Sequence, residues 1–309
     1  MIWLPIIGRY TEIDAYASAL AYAELLNQRS KPATVYLKNQ PNYSVPESLR
    51  IPRLENFKLN FQSDDQAIIL DISIPEVIHE FCPDDRILEL IDHHPGHEDY
   101  WRNALGDRAI IEPIGAVATS IFEWWGECWD YAKMAPEIAK LLLAAIFDNT
   151  LDFNAEITTE RDRVAAQDLA EIAQVSVGDF AEWYFSEVSN KVLASPEDAL
   201  INDTKIVVIP STQEKFVFGQ LTVWSIKRIH EKLPEIRSIM DAKYQNWLLS
   251  IIDISAGQNL ILTNSQELGD YFTKLLGLST TVEGYLTQNL LLRKEIMKRM
   301  VSAGKTPQA

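Results

Sequence analysis

Three apolar runs in the first half of the chain each end on an acid: Ala67 to Leu70 before Asp71, Ile87 to Ile91 before Asp92, and Ala145 to Phe147 before Asp148. The first two have the length of short buried strands. Strands apolar on both faces belong in a parallel sheet covered by helices. A carboxylate that ends such a strand is poorly placed for packing, but well placed at the sheet's carboxyl edge, where ligands collect. Asp92 is followed at once by His93 and His94, and three of the five histidines (93, 94 and 97) lie within five residues. Adjacent residues on an extended segment point to opposite sides. One imidazole of the pair can therefore bind an ion while its neighbour faces elsewhere.

Strand and helix patterns alternate through residue 175. Ile2 to Ile7, Thr34 to Leu37, Ala67 to Leu70, Ile87 to Ile91 and Ala109 to Pro113 read as strands. Asp14 to Gln28, Pro75 to Phe81, Gly115 to Trp125 and Ala135 to Phe147 read as helices, as does a stretch capped by Thr158 or Thr159 that runs to Ala173. This alternation predicts an α/β domain over residues 1–188, built on a doubly wound parallel sheet. Over residues 189–198 the pattern breaks into Ser, Asn, Lys, Pro and acids, which predicts a linker. Beyond it, Ile206 to Ile209, Lys215 to Val223, Trp247 to Ile254 and Asn259 to Leu262 read as strands. Helices fit Trp224 to Ala242, Gln266 to Leu276 and Leu290 to Val301. Residues 199–309 are thus expected to form a smaller α+β domain with a mixed sheet.

The net charge of −16 argues against a nucleic-acid polymer as partner. Its distribution is uneven. Residues 191–309 carry 14 Lys and Arg against 12 Asp and Glu, which leaves the first 190 residues at −18. An acidic first domain facing a slightly basic second one suits a metal-holding part and an anion-holding part. No apolar run reaches the ~18 residues needed to span a bilayer, so no membrane is expected. The N-terminus lacks a basic n-region and reads as a first strand. Cys82 and Cys128 form no CxxC pair, which suits a reducing cytoplasm.

If the sheet is parallel, Glu12 and Asp14, Asp71, the Asp92-His93-His94 triplet and Asp148 fall along one edge. Carboxylates gathered there repel one another, and a bound cation relieves that repulsion. Oxygen ligands with an imidazole suit Mn²⁺ or Mg²⁺, one ion or two. Two such ions would activate a water and clamp a phosphoryl group. The small residues Gly115, Ala116, Ala118, Thr119 and Ser120 open a helix. They would either admit an anion to its N–H groups or pack closely against a neighbour.

The segments in this order resemble the DHH phosphoesterase superfamily, in the branch with a DHHA2 C-terminal domain. That branch holds manganese-dependent (family II) inorganic pyrophosphatases, exopolyphosphatases and prune-type proteins. The matching stretches are Asp14-Ala-Tyr-Ala-Ser-Ala-Leu-Ala-Tyr-Ala, Ile-Leu-Asp71, Ile-Asp92-His93-His94, Glu112-Pro-Ile-Gly-Ala-Val-Ala-Thr119 and Asp148-Asn-Thr-Leu-Asp-Phe153. Thr158-Thr-Glu-Arg-Asp162, Phe218-Gly-Gln-Leu-Thr-Val223 and Arg293-Lys294 follow, so the likeness spans nearly the whole chain. The resemblance implies that Asp71 bridges two metals, and that Asp14, His93 and Asp148 complete one metal site. It implies that His94 stands beside the substrate phosphate as hydrogen-bond donor or proton carrier. It further implies that Arg293 and Lys294, with Lys205, grip phosphate, and that the two domains close over a small phosphorylated substrate. The reaction it implies is cleavage of a phosphoanhydride, pyrophosphate or short polyphosphate, by metal-activated water. The alternatives are a nucleotide phosphodiesterase of the same superfamily and a non-catalytic member that binds a phosphorylated ligand. Some relatives pair through an edge strand of the first domain, so a homodimer is admitted by analogy.

One motif departs from the family pattern. The first family motif reads His-x-x-x-Asp-x-Asp, and here the stretch is Gly8-Arg9-Tyr10-Thr11-Glu12-Ile13-Asp14. The histidine position is Gly8 without a gap, or Arg9 with a one-residue deletion, and Glu12 replaces the first aspartate. Two arrangements follow. Asp14, Asp71, His93 and Asp148 hold one tight metal, the second ion being weaker or carried in by the substrate, and Glu12 can still coordinate. Or the Arg9 guanidinium takes the vacated place and binds phosphate directly. Ala15 and Leu292 replace two serines of the family pattern.

Overall fold

The computed structural model describes residues 1–51, 62, 64–201 and 203–305. The chain divides into two compact units, Met1–Phe153 with Ile157–Ala181, and Asn154–Glu156 with Glu182–Ala309.

In chain order the first unit holds β1 (Ile2–Ile6), α1 (Ile13–Gln28), β2 (Ala33–Leu37), β3 (Gln66–Leu70), α2 (Pro75–His79), β4 (Ile87–Asp92), α3 (Glu98–Leu105), β5 (Ala109–Ile111), α4 (Val117–Cys128), α5 (Pro136–Thr150) and α6 (Glu160–Ala173). The strands form one sheet in the order β2-β1-β3-β4-β5, and every pairing in it is parallel. Strand order reverses direction between β1 and β3, the switch point at which open parallel sheets bind ligands. The α/β architecture expected from the alternating pattern is therefore the observed one. On one face of the sheet Ile69, Ile87 and Leu90 pack with Ile78, Trp101 and Leu105 from α2 and α3. The alanines of α1 allow it to be buried on nearly every side, and Trp125 of α4 donates its indole N–H to the Ala21 carbonyl at 3.1 Å. β5 stops before Pro113, which has no N–H to give to a ladder.

Helix α7 (Val177–Ala194) and α8 (Pro196–Ile201) follow, then β6 (Thr204–Val208), β7 (Lys215–Val223), α9 (Ile226–Ile229), α10 (Leu233–Lys243), β8 (Trp247–Asp253), β9 (Gln258–Thr263), α11 (Gln266–Leu276), β10 (Ser279–Thr280), β11 (Tyr285–Leu286) and α12 (Arg293–Lys305). Residues 189–198, read from the sequence as a linker, are thus almost entirely helical. The reason is local. Ser189 is fully buried, with its hydroxyl donating to the Phe185 carbonyl at 2.6 Å and accepting from the Trp224 N–H at 2.8 Å. A residue that looks solvated in the sequence is satisfied by partners on both sides. The single helix expected over 224–242 is two, interrupted by a tight 3-10 turn at His230–Lys232 ahead of Pro234 in the first turn of α10.

The second sheet runs β10-β11-β9-β8-β7-β6. β7 and β8 pair in parallel, while β6 with β7 and β8 with β9 are antiparallel. This is the mixed sheet expected of the smaller domain. Phe216, Phe218, Leu248, Ile261 and Phe272 form its core with Ile296 of α12. Buried Asn259 anchors the approach to that helix. Its amide donates to the Leu291 carbonyl at 2.7 Å and its oxygen accepts from the Leu291 N–H at 3.0 Å. Among the described residues no helix is long and apolar enough to cross a membrane.

Candidate metal centre

β3 and β4 lie side by side, with Leu70 opposite Ile91. Asp71 leaves the end of β3 in the left-handed region, at φ 59°. Its N–H donates to the Ile91 carbonyl at 2.9 Å. Aspartate is among the few non-glycine residues that tolerate this conformation. The turn brings Asp71 Oδ1 to 3.5 Å from His93 Nε2 and 3.7 Å from His94 Nδ1. The Asp71 and His93 side chains are buried and that of His94 is half exposed. The two imidazoles stand nearly perpendicular, at 87°. Ligand-capable atoms of Asp71, His93 and His94 all lie within 4.8 Å of one another.

Hydrogen bonding fixes the chemistry of each ring. His93 Nδ1 is 3.0 Å from the Ile114 carbonyl. A carbonyl can only accept, so Nδ1 carries a proton, and in its neutral form the ring presents a lone pair at Nε2. That lone pair faces the Asp71 carboxylate oxygen. Two ligands held ~2.1 Å from one ion stand roughly 3 to 3.5 Å apart. The donor set therefore fits a divalent cation. His94 is also held through Nδ1, but by a carboxylate, with Asp92 Oδ1 at 2.8 Å. That same oxygen accepts the backbone N–H groups of His93 at 2.8 Å and His94 at 3.2 Å. Burial pushes the Asp92 carboxyl up, but the hydrogen bond and charge of His94, helped by Ser73 and His93, hold it below the usual carboxylate range. The anionic form of Asp92 is thus favoured, and it holds the His94 ring in place.

The other acids named from the sequence lie outside this trio. Asp14 is buried, and its two oxygens accept the N–H groups of Val117 and Ala118, each at 2.9 Å, at the start of α4. Burial raises its pKa to about 6, against the pull of those two N–H groups and of the Ser18 hydroxyl. The small residues that open α4 do admit an anion, and it is the chain's own carboxylate. Glu12 is exposed at the N-cap of α1. Asp148 is half-buried in the last turn of α5, just before three successive left-handed residues, Leu151, Asp152 and Phe153. Arg9 is exposed, its guanidinium 5.1 Å from the Tyr10 ring centre. Asn39 ties down the loop around it by donating to the carbonyls of Gly8 and Arg9.

In the second unit, Lys294 and Lys205 are exposed, on α12 and the edge strand β6. Arg293, next to Lys294 in sequence, is buried. Its guanidinium binds Asp203 Oδ1 at 2.5 Å, the Asp203 carbonyl at 2.9 Å and the Phe218 carbonyl at 3.3 Å.

Sequence reasoning places Asp92 only among the edge carboxylates and Asp162 only in a helix start, and it assigns nothing to the Ile114 carbonyl. A backbone carbonyl leaves no mark in a sequence. The Thr159-x-x-Asp162 spacing was legible as a helix start, and the capping box is present.

No family model matches the chain. It is 27% identical over 272 residues to a probable manganese-dependent inorganic pyrophosphatase of Bacillus velezensis, covering 85% of each chain. It is 25% identical over 264 residues to the manganese-dependent inorganic pyrophosphatase of Bacillus subtilis, covering 83% of this chain and 84% of the relative. A crystal structure of a putative family II inorganic pyrophosphatase from Methanococcus jannaschii superposes with a TM-score of 0.69 at 20% identity, over 99% of this chain and all of the other. That last likeness establishes the fold.

Proposed function

We propose that this chain, a member of the DHH phosphoesterase superfamily, hydrolyses inorganic pyrophosphate with Mn²⁺. The observation that supports this most is the buried Asp71–His93 pair at 3.5 Å, with the imidazole tautomer fixed by the Ile114 carbonyl. A carboxylate oxygen and an imidazole nitrogen suit Mn²⁺. Bound there, the ion would supply an acidified water and positive charge against the phosphoryl oxygens. The remaining roles fall to the chain. Asp71 and His93 hold their positions through the strand ends and the Ile114 hydrogen bond. His94, kept in place by Asp92, passes a proton to the departing phosphate. One P–O bond forms to the water oxygen, the bridging P–O bond breaks, and the water's protons end on the two phosphates. Lys294, Lys205 and Arg9 bind phosphate oxygens, while Arg293 fixes the first turn of α12. Glu12, Asp14 and Asp148 serve a second, weaker ion, for which Asp14 must loosen its hold on α4.

Phosphate release from pyrophosphate, tripolyphosphate and a cyclic nucleotide, each with Mn²⁺ or Mg²⁺, tests this reading. Pyrophosphate with Mn²⁺ is expected to turn over fastest, and H94A to slow it by about 100-fold or more. One observation favours a second reading, a non-catalytic phospho-ligand binder: both Asp14 oxygens are already occupied and Glu12 is exposed. Saturable pyrophosphate binding without turnover of any substrate would replace the first reading with the second.

A further inference from the structure

Ile114 C=O and Gly115 N–H are the two ends of one peptide group. The carbonyl end receives the His93 Nδ1 proton. The N–H end donates to Asp162 Oδ2 at 3.1 Å. Asp162 is fully buried. Its two oxygens also accept the Thr119 hydroxyl at 2.6 Å and the Thr159 N–H and hydroxyl, each at 2.7 Å. Capping α6 needs only the Thr159 contacts. The Gly115 and Thr119 bonds reach back 47 and 43 residues, and a cap has no use for them. The approach also dictates the residue at 115. A Cβ there would lie 2.6 Å from Asp162 Oδ2 and 2.7 Å from Thr150 Cγ2, so only glycine lets the carboxylate reach that N–H.

We infer that Asp162 is a positioning residue for His93, acting through the Ile114–Gly115 peptide. A carboxylate on the N–H end of a peptide polarises its carbonyl and makes the oxygen a stronger acceptor. That oxygen then holds the proton on His93 Nδ1 and favours the tautomer in which Nε2, towards Asp71, is the better donor to a cation. Partners of this outer kind tune metal affinity by about 10- to 100-fold. Here the outer carboxylate works one peptide further out than usual. The inference rests on the metal-site reading of Asp71 and His93, but not on pyrophosphate being the substrate.

The test compares D162N with T159A. T159A removes a cap hydroxyl but leaves the Gly115 bond. Two readouts are taken on the holoprotein-competent full chain: the ¹⁵N ring signals of His93 without metal, and Mn²⁺ affinity by calorimetry. D162N is expected to mix the His93 tautomers and to weaken Mn²⁺ binding by about tenfold or more. T159A is expected to lower the melting temperature with the tautomer and the Mn²⁺ affinity unchanged. Equal Mn²⁺ affinity and an unshifted tautomer in D162N would overturn the inference and leave Asp162 a cap. If D162N does not fold, the wild-type protein decides: a His93 ring protonated at Nε2 without metal overturns the inference, and one protonated at Nδ1 supports it. Absence of pyrophosphate turnover with these shifts intact would count against the proposed substrate and leave the positioning role standing.

Discussion

Each compact unit holds a buried charged cluster drawn from distant parts of the chain, and the two are completed in opposite ways. In the second unit Arg293 meets Asp203 and two carbonyls, so a cation is answered by an anion and by oxygen lone pairs. In the first unit Asp71 Oδ1 faces an imidazole nitrogen whose lone pair points towards it. On the metal-site reading proposed above, acceptor faces acceptor, and a cation from outside completes the arrangement. A buried charge matched within the chain belongs to folding. Buried ligand atoms that converge on each other tie folding to a bound ion.

The comparison breaks most visibly in the second unit. Replacing one member of a buried ion pair leaves the other charge uncompensated, at about 3–5 kcal/mol. R293M is therefore expected to lower urea stability by that amount, equally with and without Mn²⁺. A loss that appeared only with metal present would place Arg293 in the metal's chemistry instead. The first unit is expected to answer in the reverse sense. Mn²⁺ at 100 times its dissociation constant should raise stability by about 2.7 kcal/mol, seen as a higher melting temperature. H93A should remove that rise while Arg293 variants keep it.

A smaller effect concerns a third cluster, half exposed. Arg161 bridges Glu112, at 2.7 and 2.9 Å, and Glu123. The Arg161 hydrogen bond holds the Glu112 carboxyl below its ordinary 4.5, against the opposing effect of burial. A carboxyl depressed in the folded state adds stability above its ordinary pKa and loses it as pH falls through the folded value. The wild-type chain should thus lose stability on acidification below pH ~4.5, and E112Q should flatten that limb. The difference should stay under about 1 kcal/mol because the pair is open to solvent. Chemical denaturation at pH 7 and at pH 3.5 measures it.

The sequence was most readable where side chains act on their own neighbours. β1, β3 and β4 announce themselves by apolar runs, and the Asp71 and Asp92-His93-His94 positions follow from where those runs stop. It was least readable where a partner lies far away. Asp14 reads as a metal ligand at its strand-to-helix turn, and nothing near it in sequence shows that its carboxylate also accepts the Val117 and Ala118 N–H groups, 103 and 104 residues downstream. Residues 189–198 looked like a linker because the Trp224 N–H that satisfies Ser189 belongs to another segment. Arg293 is expected from the family likeness to grip phosphate, and nothing nearby in sequence points to Asp203, 90 residues earlier.

Asp71 has a consequence for inheritance. Its φ of 59° suits asparagine or glycine as well as aspartate. The backbone therefore does not defend the carboxylate. D71N is expected to melt, without metal, within about 0.5 kcal/mol of the parent, while its Mn²⁺-dependent stabilisation disappears. A lineage could lose the ion in one substitution and keep the whole scaffold. A silent descendant would then resemble its working ancestor everywhere except at one side chain.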